Sequence, residues 1–334
     1  MRIAIANDMP LAVEALRRAL ATEPEYQLVW VASNGEEAVR RCREDLPDLL
    51  LMDMLMPGMD GVEATRRIMH DTPCAILIVT SDVERNMTRV FDAMGAGALD
   101  VVAAPSLGPQ LVLDAASVRR KIHNIAWMIG HKASRTAKPG SVRKSESRGK
   151  RLIAIGASAG GPASLVELLQ QIPADFPASI VLVQHVDEVF AAGMAQWLGS
   201  ESHMPVRLAQ EGEVLQPGAV LLAGTNNHLY LTPEGHLVYR PEPLDQVYRP
   251  SIDVFFESVA TYWRGEAIGV LLTGMGRDGA RGLKQMRERG FHTIAQDQAS
   301  SAVYGMPKAA VALDAATEVL PLNRIAARLV ERLG

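Results

Sequence analysis

The chain has 334 residues, 48% of them hydrophobic, which is enough apolar material for two packed cores and excludes a disordered polypeptide. Its formal net charge of −4 is unevenly spread: residues 1–131 carry 13 basic against 18 acidic side chains, residues 132–150 carry 7 against 1, and residues 151–334 carry 14 against 19. A net acidic second half argues against a nucleic-acid-binding output domain, and the only two cysteines, Cys42 and Cys74, offer neither a disulfide framework nor a zinc-ligand spacing. Met1-Arg2 leads straight into a short apolar run, too short for a signal-peptide core, and no apolar stretch approaches the roughly 20 residues of a membrane span. A cytosolic protein without membrane insertion is expected.

Residues 1 to about 105 alternate strand and helix signals. Strands are predicted at Ile3–Ala6, Val29–Ala32, Asp48–Met52, Ala75–Val79 and Leu99–Val102, with helices from Leu11, from Glu36, from Val62 and near Arg85–Met94. Such alternation predicts a parallel sheet covered by helices on both faces. Just past the strand ends stand Asn7-Asp8, Asp53, Thr80-Ser81 and Ala104-Pro105. Acids suit a divalent cation, an aspartate can accept a phosphoryl group, and a hydroxyl can bond it. The competing reading takes Asp8, Asp53 and Asp60 as plain loop acids.

The segment LLLMDMLMPGMDG and the placement of these residues resemble response-regulator receiver domains. The resemblance implies a flavodoxin-like domain with Asp53 as phosphoacceptor, Asp8 and Asp53 as Mg²⁺ ligands, and Thr80 as the switch hydroxyl. Two positions depart from the family pattern. Asn7 stands where an acid is usual, and Ala104 stands before Pro105 where the family carries a lysine that contacts the phosphoryl oxygens.

From Gln110 to Ile129, apolar residues recur at helical spacing, so a helix is predicted there, with His123 and Trp127 as packing or surface residues. His131 to Lys150 loses all periodicity and is rich in Ser, Gly, Lys and Arg, which reads as a solvated tether.

A short apolar strand, Leu152–Ile155, then runs into Gly156-Ala157-Ser158-Ala159-Gly160-Gly161 and a helix beginning near Pro162. This G-x-S-x-G turn has the form of a nucleophile elbow, although a phosphate-binding loop or a plain tight turn fits the same letters. A serine hydroxyl needs a base, and the strand Ser179–Gln184 ends in His185. The strand Ala267–Leu272 is followed by a glycine-rich turn carrying Asp278. Three such residues can converge at the carboxyl edge of a parallel sheet. Singly, each has a structural explanation: Ser158 as a helix cap, His185 as a strand end, Asp278 as a turn residue.

The segments GASAGG, VLVQH, LLTGMGRDGA and AQDQASSAVYGMPKAA occur in the order and spacing of the CheB family of chemotaxis receptor methylesterases, which the chain resembles over nearly its whole length. The family's serine, histidine and aspartate fall on Ser158, His185 and Asp278, and its oxyanion position on the backbone N–H of Met275. Ala159 replaces a threonine and Arg277 an asparagine. The opening NDMPLAVEALRRAL and the absent lysine resemble most nearly the WspF-type branch, which serves a chemosensory system other than flagellar taxis.

The remaining chain predicts strands at Ala219–Ala223, Leu229–Leu231 and Leu237–Tyr239, and a helix capped by Ser251. His228 and Asn226-Asn227 read either as cleft-lining or as a polar turn, and His203, His236 and His292 as structural or exposed. The expected architecture is therefore α/β: residues 1–107 a five-stranded receiver, 108–150 a helix and basic linker, and 151–334 a doubly wound methylesterase domain. The resemblance implies hydrolysis of glutamate methyl esters, and deamidation of glutamines, on cytoplasmic helices of methyl-accepting chemoreceptors. It implies no cofactor for that chemistry, a CheA-type histidine kinase as phosphodonor, and a receiver that covers the cleft until Asp53 is phosphorylated. The alternatives are a non-catalytic regulator that docks on a kinase or receptor array, and a nucleotide-binding oxidoreductase.

Overall fold

The computed structural model describes residues 1–81, 83–105, 111–130, 150–244, 246 and 248–334, without the side chains of 83–86, 111–114, 124 and 127–130. The predicted linker at 131–149, and Gln110 at the start of the predicted helix, lie outside the described residues, as does the side chain of Trp127. The chain divides into two compact units, Met1–Ala133 and Ser134–Gly334.

In the first unit the elements alternate: β1 (Arg2–Ala6), α1 (Pro10–Leu20), β2 (Gln27–Ala32), α2 (Gly35–Glu44), β3 (Leu49–Met52), α3 (Gly61–Asp71), β4 (Ala75–Thr80), α4 (Val83–Gly95), β5 (Asp100–Ala103) and α5 (Leu111–Gly130). The strands form one parallel sheet in the order β2-β1-β3-β4-β5. Helices on both faces leave the central strands without a solvent side, which is why β3 is apolar at every position and wholly buried. Polar side chains start two of the helices: Asn34 accepts the Glu37 N–H at α2, and Asp60 accepts the Glu63 N–H at α3.

The second unit contains β6 (Arg151–Ala157), α6 (Gly161–Leu169), β7 (Ser179–Gln184), α7 (Glu188–Glu201), β8 (Val206–Leu208), β9 (Glu213–Val214), β10 (Val220–Leu222), β11 (His228–Leu231) and β12 (His236–Arg240). It continues with α8 (Ile252–Tyr262), β13 (Glu266–Leu271), α9 (Ala280–Glu288), β14 (His292–Gln296), α10 (Met306–Ala312), β15 (Glu318–Leu320) and α11 (Leu322–Leu333). Seven strands form a parallel sheet, β15-β14-β13-β6-β7-β10-β8, while β11, β12 and β9 make a small antiparallel sheet. From β6 the chain winds outward through β7, and from β13 it winds outward the other way, so the winding reverses between β6 and β13. In open α/β sheets the crevice for ligands lies at the carboxyl ends of the strands beside such a reversal. The core behind it is built from Leu152, Ala154, Val181, Phe255, Phe256, Leu271 and Leu283, all buried.

Candidate active site

Ser158 directly follows β6, the strand that lies between β7 and β13. Its N–H donates to Thr273 O at 3.0 Å, and its carbonyl accepts the Gly161 N–H at 2.7 Å and Gln184 Nε2 at 2.9 Å. Those bonds fix the turn into α6. The turn also needs Gly160, whose φ is +72° and where a Cβ would stand 2.5 Å from that of Ala302. Gly160, not Ser158, occupies the N-cap position of α6. The Ser158 hydroxyl is thus spared capping duty and lies 3.0 Å from His185 Nδ1.

His185 follows β7, and its other nitrogen, Nε2, lies 2.7 Å from Asp278 Oδ2. A carboxylate only accepts, so Nε2 carries the proton and Nδ1 presents a lone pair to the Ser158 hydroxyl. The sequence leaves open which nitrogen faces the serine; the geometry assigns Nδ1. Tyr248 lies flat on the imidazole, with ring centroids 4.3 Å apart and planes 5° apart.

Asp278 is buried, and four donors surround it. Besides His185, Oδ1 accepts the Ser251 hydroxyl at 2.8 Å and the Asp253 N–H at 3.0 Å, and Oδ2 accepts the Ile252 N–H at 2.7 Å. These N–H groups belong to the first turn of α8, where backbone donors are unpaired within the helix and the dipole favours an anion. Burial pushes the Asp278 carboxyl up, but the His185 hydrogen bond and charge and the two backbone N–H groups outweigh it and hold the carboxyl below the usual range. Asp278 is therefore an ionised acceptor at neutral pH. Asp253, beside it, is pushed up to about 6 by burial and by the Asp278 charge.

The turn after β13 packs against the serine. Thr273 N–H donates to Gln296 Oε1 at 2.7 Å, Gly274 N–H to Val303 O at 3.0 Å, and the Gly305 and Met306 N–H groups to Gly274 O at 3.1 and 2.8 Å. A Cβ on Gly274 would stand 2.7 Å from Ser158 Cβ, so only glycine allows this approach. Met275, buried, comes next, and its N–H has no acceptor among the described residues. A pinned backbone donor beside a serine is the element that stabilises negative charge on a carbonyl oxygen. Ala159 is half-buried and Arg277 exposed.

Sequence reasoning misses Tyr248, the α8 clamp and the role of His228. Ser251 is expected only as a cap; it caps by accepting the Val254 N–H, and it also donates to Asp278. The expectations for His228, a cleft-lining or polar-turn residue, need correction. It is fully buried at the start of β11, bonded to Pro243 O and Ser251 N, because its neighbours Leu229 and Leu231 carry that short strand into the core. His203 and His236 are exposed, and His292 stands beside Glu318.

A second cluster lies in the first unit. Because β1, β3 and β4 are adjacent and parallel, the residues after them share one sheet edge. Asp53 is buried, its N–H bonded to Ala6 O at 2.9 Å and its Oδ1 accepting the Met54 N–H at 2.7 Å. Burial pushes its carboxyl up to about 6, and the charge of the exposed Asp8 adds to this. Thr80 is fully buried at the end of β4, and its carbonyl accepts the Ala104 N–H at 2.8 Å. Asn7 Oδ1 accepts the Met9 N–H at 2.8 Å, and Asp60 caps α3. A hard divalent ion binds through one or two carboxylates and keeps several waters. Asp8 and Asp53 meet that requirement, and their mutual repulsion is what a cation relieves; the residues present fit Mg²⁺.

Comparison with known proteins agrees with this picture. Residues 153–329 match the family model CheB methylesterase, and residues 3–115 match the response regulator receiver domain. The chain is 67% identical over 332 residues to a protein-glutamate methylesterase/protein-glutamine glutaminase of Pseudomonas syringae, covering 99% of each chain. It is also 67% identical over 334 residues to one of Pseudomonas aeruginosa, again covering 99% of each. The crystal structure of the Thermotoga maritima CheB methylesterase catalytic domain superposes with a TM-score of 0.52 at 35% identity, covering 56% of this chain and all of that one. Among the described residues no helix is long and apolar enough to cross a membrane. With a parallel five-stranded receiver and a parallel seven-stranded second unit, the chain belongs to the CheB methylesterase family.

Proposed function

We propose that this chain is a cytoplasmic protein-glutamate methylesterase that removes methyl groups from glutamate methyl esters on chemoreceptor helices, and that it hydrolyses receptor glutamine amides at the same site. The observation that carries this reading is the unbroken line from Ser158 Oγ to His185 Nδ1 at 3.0 Å and from His185 Nε2 to Asp278 Oδ2 at 2.7 Å. In the proposed reaction Ser158 Oγ attacks the ester carbonyl carbon while its proton passes to His185 Nδ1. The carbonyl oxygen becomes an oxyanion held by the Met275 N–H. Collapse expels methanol, which takes the proton back from His185; a water then repeats the sequence on the acyl-serine and releases the glutamate carboxylate. Asp278, held ionised by the α8 donors, keeps the imidazole in the Nε2–H tautomer and stabilises the imidazolium. The chemistry calls for no cofactor.

The assignment extends to regulation. Residues 1–107 act as the receiver, 108–150 as helix and linker, and 151–334 as the catalytic domain. Asp53 accepts the phosphoryl group from a CheA-type histidine kinase, with Asp8 and Asp53 holding Mg²⁺ and Thr80 reading the modified state. When bound there, Mg²⁺ would supply charge neutralisation to the phosphoryl group that Asp53 accepts. The partners are chemoreceptors and the kinase, not nucleic acid or bilayer. The test is methanol release from methylated receptor membranes: wild type is expected to release it and Ser158→Ala not. Release at equal rates by both would remove the assignment.

A further inference from the structure

His228 is an ionisable side chain that the proposed chemistry does not use, fully buried, with its two ring nitrogens facing opposite kinds of partner. Nδ1 lies 3.0 Å from the backbone nitrogen of Ser251, which can only donate. Nε2 lies 3.2 Å from the carbonyl oxygen of Pro243, which can only accept. One form of the ring satisfies both: the neutral tautomer protonated at Nε2. A proton added at Nδ1 would face the Ser251 N–H and leave that buried donor without an acceptor, which costs its full desolvation penalty. The residue so anchored is the N-cap of α8. Its hydroxyl donates to Asp278 Oδ1 at 2.8 Å, and the next two backbone N–H groups bind Asp278 at 2.7 and 3.0 Å.

We propose that His228 is a positioning residue for ester hydrolysis: by accepting the Ser251 N–H in its neutral form it holds the start of α8 as a three-donor clamp on Asp278. The inference rests on the esterase reading above. Charged groups around the ring act in both directions. Arg249, on the segment entering α8, opposes a positive charge on His228, and Asp278 favours one. Arg240, its register partner on β12, stacks instead over the Tyr230 ring at 4.3 Å. Burial is the largest effect, and the net result holds His228 below the ordinary imidazole value of 6.5. As pH falls from that value through the depressed one, the stabilisation from the neutral ring is lost and the clamp loosens. Acid therefore acts on the support of Asp278.

The test compares full-length wild type, His228→Asn and His228→Leu on methylated receptor membranes between pH 5 and 8, with melting temperature as the folding control. Asn keeps an acceptor at the place of Nδ1 and cannot titrate; Leu fills similar space without an acceptor. The expected result is that Leu lowers kcat by about tenfold or more at pH 7.5 with KM within about twofold, since a small misplacement of catalytic groups is costly. Asn should retain kcat within about threefold at pH 7.5 and lose a smaller fraction of kcat/KM than wild type as the pH is lowered to 5, because its side chain cannot titrate. A folded Leu variant with wild-type kcat would overturn the proposal, and so would an Asn variant whose activity falls as steeply as that of wild type on acidification. If Leu does not fold, the acid response of the Asn variant decides alone. Labelling of Ser158 by a fluorophosphonate separates the two levels: a wild type that neither reacts nor releases methanol overturns the esterase reading and this one with it, whereas an active wild type with unaffected variants overturns only the role of His228.

Discussion

Tyr248 and His185 lie face to face, 4.3 Å between ring centroids and 5° between planes. The tyrosine ring therefore covers one side of the imidazole that carries the proton during the proposed reaction. An aromatic face attracts a cation by about 0.5–2 kcal/mol, and it also stops the imidazole from tilting away from Ser158. Tyr248→Phe, which keeps the ring, should leave kcat within about threefold, while Tyr248→Ala should lower it by about 3- to 30-fold, the same energy expressed as a rate. Steady-state turnover of the two variants checks this, and equal losses in both would shift the role from the ring to the hydroxyl.

Gly274→Ala tests the close approach behind the serine. The added methyl would stand 2.7 Å from Ser158 Cβ and press on the Met306 sulfur. Overpacking of this kind costs about 1–3 kcal/mol, and displacement of the serine by about 1 Å can cost 10²-fold in rate. A lower melting temperature with a larger proportional loss of fluorophosphonate labelling is expected. Wild-type labelling would show that the turn has room that its geometry denies.

Asp253 sets a pH dependence of stability. Its carboxyl is raised from 3.8 to about 6, by burial first and then by Asp278, despite the opposing Arg281. The folded chain therefore binds this proton more tightly than the unfolded chain. The contribution is full below the unfolded value, is lost as pH rises from about 4 to about 6, and stays lost above that. Asp253→Asn keeps an acceptor for the Gly282 N–H, now 2.8 Å from Asp253 Oδ1, and removes the charge. It should stabilise the protein by about 1–3 kcal/mol at pH 7.5 and by almost nothing at pH 4. Urea denaturation at the two pH values measures the difference, and destabilisation at pH 7.5 would contradict the sign.

At the receiver edge, Ala104 is tied to Thr80 by a 2.8 Å backbone bond but offers no cation to a phosphoryl group on Asp53. Asp53 should still be labelled by a small phosphodonor in Mg²⁺, because nucleophile and metal ligand are both present. A modification shifts a conformational equilibrium only by its differential interaction with the two states, so activation should be weak. Ala104→Lys should strengthen activation of the esterase at equal labelling. Labelling that survives Asp53→Ala would remove Asp53 as acceptor, and equal activation of wild type and Ala104→Lys would remove the argument from the charge.

What could be read from the sequence follows from how local each signal is. Ser158 and His185 each stand directly after an apolar run and Asp278 in the glycine-rich turn that follows one, and parallel strands bring such positions to one edge. The same logic brings Asp8, Asp53 and Thr80 to one edge of the first sheet. The support of Asp278 was not, because it arrives from the first turn of α8 and depends on contacts across 25 to 27 residues of sequence. His228 sits in a run of polar letters, Thr225-Asn226-Asn227-His228, that reads as a turn, yet the strand it opens carries it into the core. The three-residue strands β8 and β15 at the two edges of the seven-stranded sheet, and the two-residue β9 of the small antiparallel sheet, are too short to show a period, so those edges stayed hidden.

The central claim is that Ser158, His185 and Asp278 act as one unit, and a double-mutant cycle on methanol release tests it most directly. Ser158→Ala and His185→Ala should each lower kcat by about three or more orders of magnitude, and the double variant should lose little more, since removing either member already disables the unit. Losses that multiply in the double variant, or a Ser158→Ala protein that retains wild-type turnover, would contradict it.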